Sequence, residues 1–158
     1  MPLSDIRVID LTRILAGPFC TQMLADMGAD VIKIEPPAGD PVRGQGIIRD
    51  GVSWYFAQFN RNKKSVVLDL YTDEGKETLA RLIEGADVLV ENYRPGVLDK
   101  MGFDQARLDA LNPDLVVTSV NGYGSTGPYV DRPSFDFIAQ AMSGFMSVNG
   151  ADGGDPMR

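Results

Sequence analysis

Five short runs of β-branched and aliphatic residues recur along the chain, and a segment with helical spacing follows most of them. They are residues 7–11 (RVIDL), 30–35 (DVIKIE), 65–70 (SVVLDL), 87–91 (DVLVE) and 115–120 (LVVTSV). Runs this short, bounded by glycine, proline and asparagine, read as buried strands rather than helices. After the first, Phe19, Met23, Leu24 and Met27 keep helical spacing, and Gly28 supplies a stop. After the third, Thr72 is placed to cap a helix striped by Leu79, Leu82, Ile83 and Ala86, with Gly85 at its end. Asp104 caps a short helix that Asn112-Pro113 stops. Residues 135–146 form a last helix with Ile138, Ala141, Met142 and Phe145 on one face. Strand–helix–strand units pair in parallel through crossovers. The expectation is an α/β fold with a mostly parallel, doubly wound sheet. In such sheets ligands sit beyond the carboxyl ends of the strands. The loops after residues 11, 35, 70, 91 and 120 are therefore the places for a site.

Residues 36–63 break the rhythm. They hold three prolines, four glycines and the aromatic cluster Trp54, Tyr55, Phe56 and Phe59. This reads as a long irregular insertion, functional or at an interface. Fifteen basic against twenty-two acidic residues leave a net charge of −7, which argues against broad nucleic-acid binding. There is no histidine, so Ser-His-Asp triads and histidine-based zinc sites are excluded within these residues. The one cysteine, Cys20, makes neither an internal disulfide nor a multi-cysteine metal site. No metal is expected, and the cysteine usage fits a reducing cytoplasm. No apolar run approaches the roughly 18 residues of a membrane helix, and the opening residues lack a secretory pattern; no membrane partner is expected. The glycine- and aspartate-rich ending NGADGGDPMR supplies no closing strand or helix. It suggests the N-terminal piece of a longer protein, with a naturally flexible terminus as the alternative.

Several residues stand out at the candidate loops. Leu15-Ala16-Gly17-Pro18 leads into a helix, where backbone N–H groups can face an anion. One glycine is not the GxGxxG of a dinucleotide site, and an ordinary βα turn reads equally well. Glu35 ends the second strand; without that glycine pattern it reads as a solvated strand-end carboxylate. The basic run 60–64 (NRNKK) reads as a solvated face. The strongest local constellation is Asn92, Tyr93, Arg94 and Lys100. It offers an amide, an aromatic face and two cations to a phosphorylated nucleotide, with a structural loop as the alternative. Asp136 reads as a favourable charge at a helix start, and Cys20 as packing. Ser125 and Thr126 have no histidine to activate them.

Taken together, the runs IRVIDLTRILAGPFCTQMLADMGADVIKIE, GDPVRG, FNRNKKSVVLDL, ADVLVENYRPGVLDKMGF, LNPDLVVTSVNGYGSTGP and FDFIAQAMSGFMSVNG resemble the family III CoA-transferases in order and across nearly the whole chain. The resemblance implies that residues 1–158 are the N-terminal portion of a Rossmann-like large domain, in a longer chain that forms an interlocked homodimer. It implies coenzyme A, or acyl-CoA, as the bound substrate, touching Leu15 and Ala16 in the first loop and the strand near Leu68. Asn92, Tyr93, Lys100 and Met101 would meet its nucleotide part, with Arg94 and Arg43 added to that set. The partner substrate would be a small carboxylic acid.

The implied chemistry runs through an aspartate nucleophile in a Gly-Asp segment after MSVNG. Asp152 and Asp155 lie in a loop-like context, so no catalytic residue is assigned within residues 1–158. Formyl-CoA transferases carry glutamine where Leu15 stands and tryptophan where Gln45 stands, which argues against oxalate/formate specificity. The α-methylacyl-CoA racemases of the family carry an acid/base histidine where Phe135 stands. A phenyl ring moves no proton, which leaves racemisation as the alternative. A non-catalytic CoA- or nucleotide-binding module and a nicotinamide-dependent dehydrogenase are the alternatives from other classes. The isolated piece is expected to aggregate or to bind CoA weakly.

Overall fold

The computed structural model describes residues 1–157, in two compact units. The first, Met1–Val120, holds the sheet. Its elements in chain order are β1 (Arg7–Asp10), α1 (Ala16–Asp26), β2 (Asp30–Glu35), a 3-10 turn (Pro41–Gly44), β3 (Ile48–Arg49), β4 (Val52–Ser53), α2 (Trp54–Asn60), β5 (Lys64–Val67), α3 (Asp73–Glu84), β6 (Val88–Glu91), α4 (Val97–Lys100), α5 (Gln105–Leu111) and β7 (Val116–Ser119). The five long-run strands pair in parallel in the order β5-β2-β1-β6-β7. Val8 lies level with Val31 on one side and Val88 on the other.

Side chains alternate across this sheet with the period of two that a strand imposes. Ile9, Ile34 and Leu89 face a core with Leu79, Ile83, Phe103 and Leu108 from the α3 and α5 side. Val8, Val31 and Val90 face the opposite way, onto Ala25 and Ala29 of the α1 side. The sheet is doubly wound, as its alternating sequence leads one to expect. Thr72 caps α3, its Oγ1 accepting the Gly75 N–H at 3.1 Å. Replacing Thr72 by alanine is expected to lower stability by about 1 kcal/mol in a urea titration. A loss below a few tenths would show that the cap is dispensable.

Three expectations are corrected. Of the four residues at helical spacing after β1, only Leu24 packs against the core; Phe19, Met23 and Met27 are 47%, 41% and 46% exposed. Gly17, Pro18, Thr21, Gln22 and Ala25 turn inward instead. The strand face beneath carries Asp10 and Lys33 near the carboxyl ends, so the helix meets it with a hydroxyl and small residues. A Cβ on Gly17 would sit 2.4 Å from Thr12 Cβ, so the approach needs glycine. Residues 36–63 are not irregular throughout. They contain the 3-10 turn capped by Asp40, the β3–β4 hairpin and α2, whose cap Ser53 Oγ accepts the Phe56 N–H at 3.1 Å. Within the aromatic cluster, Phe59 packs edge-on against Phe19 and Tyr55.

The second unit begins at Asn121. A loop leads into α6 (Asp136–Met142) and α7 (Phe145–Val148). The single helix expected over 135–146 is therefore broken. Gly144 takes φ +78°, a conformation that ends helices cheaply only at glycine.

Candidate functional site

The sheet order reverses between β1 and β6. From β1 the chain moves to β2 and β5, then returns to build β6 and β7 on the other side. The crevice beyond the carboxyl ends of β1 and β6 is the topological switch point, where ligands bind in open α/β sheets. Two loops meet there, residues 11–15 after β1 and residues 92–96 after β6.

Asn92 ties them together. Its Oδ1 accepts the Arg13 N–H at 2.9 Å, and its Nδ2 donates to the Arg13 carbonyl at 2.8 Å. The Arg13 guanidinium lies 5.4 Å from the centre of the Tyr93 ring. Next in the chain, Ile14 has φ +73°. For a β-branched residue this left-handed conformation costs on the order of 1–3 kcal/mol. Its N–H is shared between the two carboxylate oxygens of Asp40, at 3.3 and 3.4 Å.

Beneath the first loop lies a buried set of charges. Asp10 accepts from the Thr12 N–H and hydroxyl, from the Thr21 hydroxyl at 2.6 Å, and from Lys63 Nζ at 3.0 Å. Lys63 Nζ also donates to the Pro18 carbonyl, Thr21 and Asn60. Burial pushes the Lys63 ammonium below its usual pKa, and Asp10 acts against that shift. Lys33 Nζ donates to the Thr12 carbonyl at 2.7 Å and pairs with Asp40 at 3.0 Å; both side chains are buried. Glu35 takes a two-pronged bond from Arg43, a bond from the Ser65 hydroxyl and one from the Asp40 N–H. Burial alone would raise the Glu35 pKa, but these donors prevail and lower it to about 2. The Arg43 guanidinium also lies 3.7 Å from the Phe56 ring centre.

Two readings of these residues are therefore overturned. Glu35 is buried and fully engaged, not a solvated strand end. In the run 60–64 the Lys63 side chain is 1% exposed and paired with Asp10; it is not part of a solvated face. The sequence held one signal of this. Asp10, Lys33 and Glu35 are charged residues inside runs otherwise fit only for a core.

Each expected site residue follows the carboxyl end of a strand in the chain: Leu15 and Ala16 after β1, Arg43 after β2, Leu68 after β5, and Asn92, Tyr93, Arg94, Lys100 and Met101 after β6. Leu15 and Ala16 open α1 and are exposed, and their N–H groups have no partner among the described residues. Leu68 follows β5, its N–H bonded to the Glu35 carbonyl at 2.9 Å. Leu68, Tyr93 and Met101 pack against the α3–α5 core. Burial raises the pKa of the Tyr93 phenol, and its N–H donates to the Glu91 carboxylate at 2.6 Å. Arg94 and Lys100 are exposed, without ion pairs among the described residues. That edge can present two free cations, an aromatic body and unpaired backbone donors to an anionic ligand. Among the described residues no cluster of His, Cys, Asp or Glu could hold a metal, and no helix is long and apolar enough to cross a membrane. The second unit has its own open recess of about 730 Å³, lined by Tyr123, Tyr129, Asp136 and Gln140 among others. Asp136 opens α6 and accepts from Gln140 Nε2 at 2.7 Å.

The model of CoA-transferase family III matches residues 3–158. Over 99% of its length the chain is 49% identical to the succinate–glutarate CoA-transferase of Agrobacterium fabrum, covering 41% of that protein. It is 46% identical over 98% of its length to a formyl-CoA:oxalate CoA-transferase of Streptomyces avermitilis, covering 38% of it. A CaiB/BaiF family protein from Brucella suis superimposes with a TM-score of 0.93 at 44% identity; all of this chain and 43% of that one are covered. The chain thus spans about two fifths of the length of these relatives.

Proposed function

The chain belongs to CoA-transferase family III, and from that premise we propose that it is the N-terminal part of an enzyme moving CoA from an acyl-CoA to a small carboxylic acid. The observation that carries this is the 49% identity, over 99% of the chain, to a relative named for CoA transfer between succinate and glutarate. Other relatives are named for citramalate, mesaconate and oxalate, which favours a dicarboxylate acceptor. The geometry agrees in kind. CoA is a phosphorylated nucleotide with a long thiol arm, and the switch-point edge offers Arg94 and Lys100 for phosphates. Leu15 and Ala16 would meet the thioester end, Leu68, Tyr93 and Met101 the apolar parts.

In this reading the nucleophile is an aspartate beyond residue 158. Its carboxylate attacks the thioester carbonyl, giving a mixed anhydride and a CoA thiolate. The thiolate attacks the aspartyl carbonyl of that anhydride, giving an aspartyl thioester and freeing the donor carboxylate. The acceptor carboxylate attacks the thioester and releases the thiolate again. Thiolate attack on the acceptor carbonyl of the new anhydride forms the product and restores the aspartate. Each step exchanges one acyl bond for another and needs no histidine. Phe135 supplies no proton, which disfavours the racemase reading. The whole protein would be an interlocked homodimer, with these residues in its large Rossmann-like domain, and cytoplasmic.

The test is covalent capture. The full-length protein is incubated with succinyl-CoA, trapped with hydroxylamine or borohydride, and its peptides are read by mass spectrometry. A modified aspartate beyond residue 158 is expected. Bound acyl-CoA with no modified aspartate under any condition would remove the covalent mechanism and return the racemase and the CoA-binding module to the front.

A further inference from the structure

We propose that Asn92 is a positioning residue. Its carboxamide clamps the backbone of Arg13 and, with the Asp40–Lys33 pair, holds the first loop in the turn from which Leu15 and Ala16 meet the acyl-CoA. The inference rests on the CoA-transferase reading above, but it assigns Asn92 a task different from contacting the nucleotide.

The argument begins with the backbone of residues 12–14. The Thr12 carbonyl accepts from Lys33, the Arg13 N–H and carbonyl are both bonded to Asn92, and the Ile14 N–H is shared by the Asp40 oxygens. Four successive backbone polar groups are thus tied by side chains from β2, from the loop after β2 and from the loop after β6. Asn92 meets Arg13 as a neighbouring strand residue would, through one donor and one acceptor. Oδ1 and Nδ2 each make one bond to the Arg13 backbone, which fixes the orientation of the carboxamide. The tie has a consequence one residue later. Ile14 sits at φ +73°, where a β-branched side chain is strained, and such a conformation persists only when its surroundings over-determine it. The over-determination is visible on the N-terminal side of the Ile14 Cα, where both polar groups of the Arg13–Ile14 peptide are held, the carbonyl by Asn92 and the N–H by Asp40; three residues on, Gly17 packs closely on Thr12 and fixes the start of α1. The strained residue stands immediately before Leu15 and Ala16, whose N–H groups are unpartnered among the described residues. A relaxed Ile14 would swing these groups away from the switch point.

The experiment uses the full-length protein, wild type, Asn92→Ala, Ile14→Gly and the double variant. Catalytic rate, CoA dissociation constant and hydrogen exchange of the peptide spanning residues 11–16 are measured on each. For Asn92→Ala, kcat is expected to fall about 10- to 100-fold, the size of effect that an ångström of misplacement produces. The CoA dissociation constant should move by less than about threefold, the split that separates positioning from ground-state binding. Exchange at Arg13 and Ile14 should accelerate. Glycine adopts a positive φ without steric cost, so Ile14→Gly should restore part of the rate lost in Asn92→Ala. A rise in the dissociation constant with kcat retained would make Asn92 a direct ligand contact and overturn the proposal, as would unchanged exchange or an absence of rescue. Should Asn92→Ala not fold, Asn92→Asp keeps the acceptor for the Arg13 N–H, replaces the donor by a carboxylate oxygen that the Arg13 carbonyl repels, and carries the same comparison. If the wild type transfers no CoA, the enzyme reading fails by itself, and the exchange data alone decide the clamp: lost protection at residues 13–14 sustains it, unchanged protection refutes it.

Discussion

Replacing Asp10 by alanine is expected to destabilise the protein by about 3–5 kcal/mol, the range for removing one partner of a buried ion pair. Asp10 is fully buried and takes four hydrogen bonds, one of them from the Lys63 ammonium. Without it, Lys63 Nζ keeps only neutral oxygens, those of Pro18, Thr21 and Asn60. Lys33 adds to the difficulty, since its charge already opposes the protonated form of Lys63. The companion change decides the cause. Adding Lys63→Met removes the orphaned charge, and an apolar side chain of similar length fills its space. The double variant should regain a large part of the loss, because deleting both partners of a buried pair is often close to neutral. Urea titrations with unchanged slope would read both values. An Asp10→Ala variant within about 1 kcal/mol of wild type would mean that the pair is solvated.

Acid should remove a second, separable part of the stability, through Glu35. Its carboxyl is held at about 2 in the folded chain against an ordinary 4.5, with Arg43, Ser65 and the Asp40 N–H outweighing the effect of burial. A lowered folded pKa means that the unfolded chain binds the proton first as pH falls. The contribution is therefore complete above pH ~5 and disappears between about pH 5 and 2. Linkage sets its size at about 3 kcal/mol at neutral pH, an upper figure because the Arg43 side chain is 44% exposed. Glu35→Gln should be less stable than wild type at pH 7, and the gap should close as pH drops toward 2. Parallel pH curves for the two proteins would show that Glu35 does not carry this dependence.

Both predictions concern residues whose role was hardest to read beforehand. A buried strand announces itself through residue type, because β-branched side chains fit a pleated surface covered on both faces. That is why β2 was bounded correctly and β1 and β6 nearly so. The caps at Thr72 and Asp104 were legible for a similar reason, since capping depends on a side chain and an N–H three residues on. The orientation of α1 was not. Its large apolar residues form a helical stripe, and periodicity assigns such a stripe to the core. The neighbouring strand face ends in Asp10 and Lys33, so Thr21 and Gly17 turn inward instead. Helix α2 is not legible in the sequence because aromatic residues are indifferent helix formers; the Ser53 cap and the Phe19–Phe59 contact supply what propensity lacks.

By itself the sequence determined the parallel, doubly wound architecture and membership of a CoA-transferase family. These follow from local periodicity and from runs of residues long enough to be distinctive. Only the tertiary structure decided which charges meet. Lys63 and Asp10 are 53 residues apart, and Asn92 and Arg13 are 79 apart. Nothing in the chemistry of a lysine or an asparagine says which distant acid or peptide group it will find. The strand order β5-β2-β1-β6-β7 sets that, by bringing the ends of β1, β2 and β6 together and excluding water from the space beneath them.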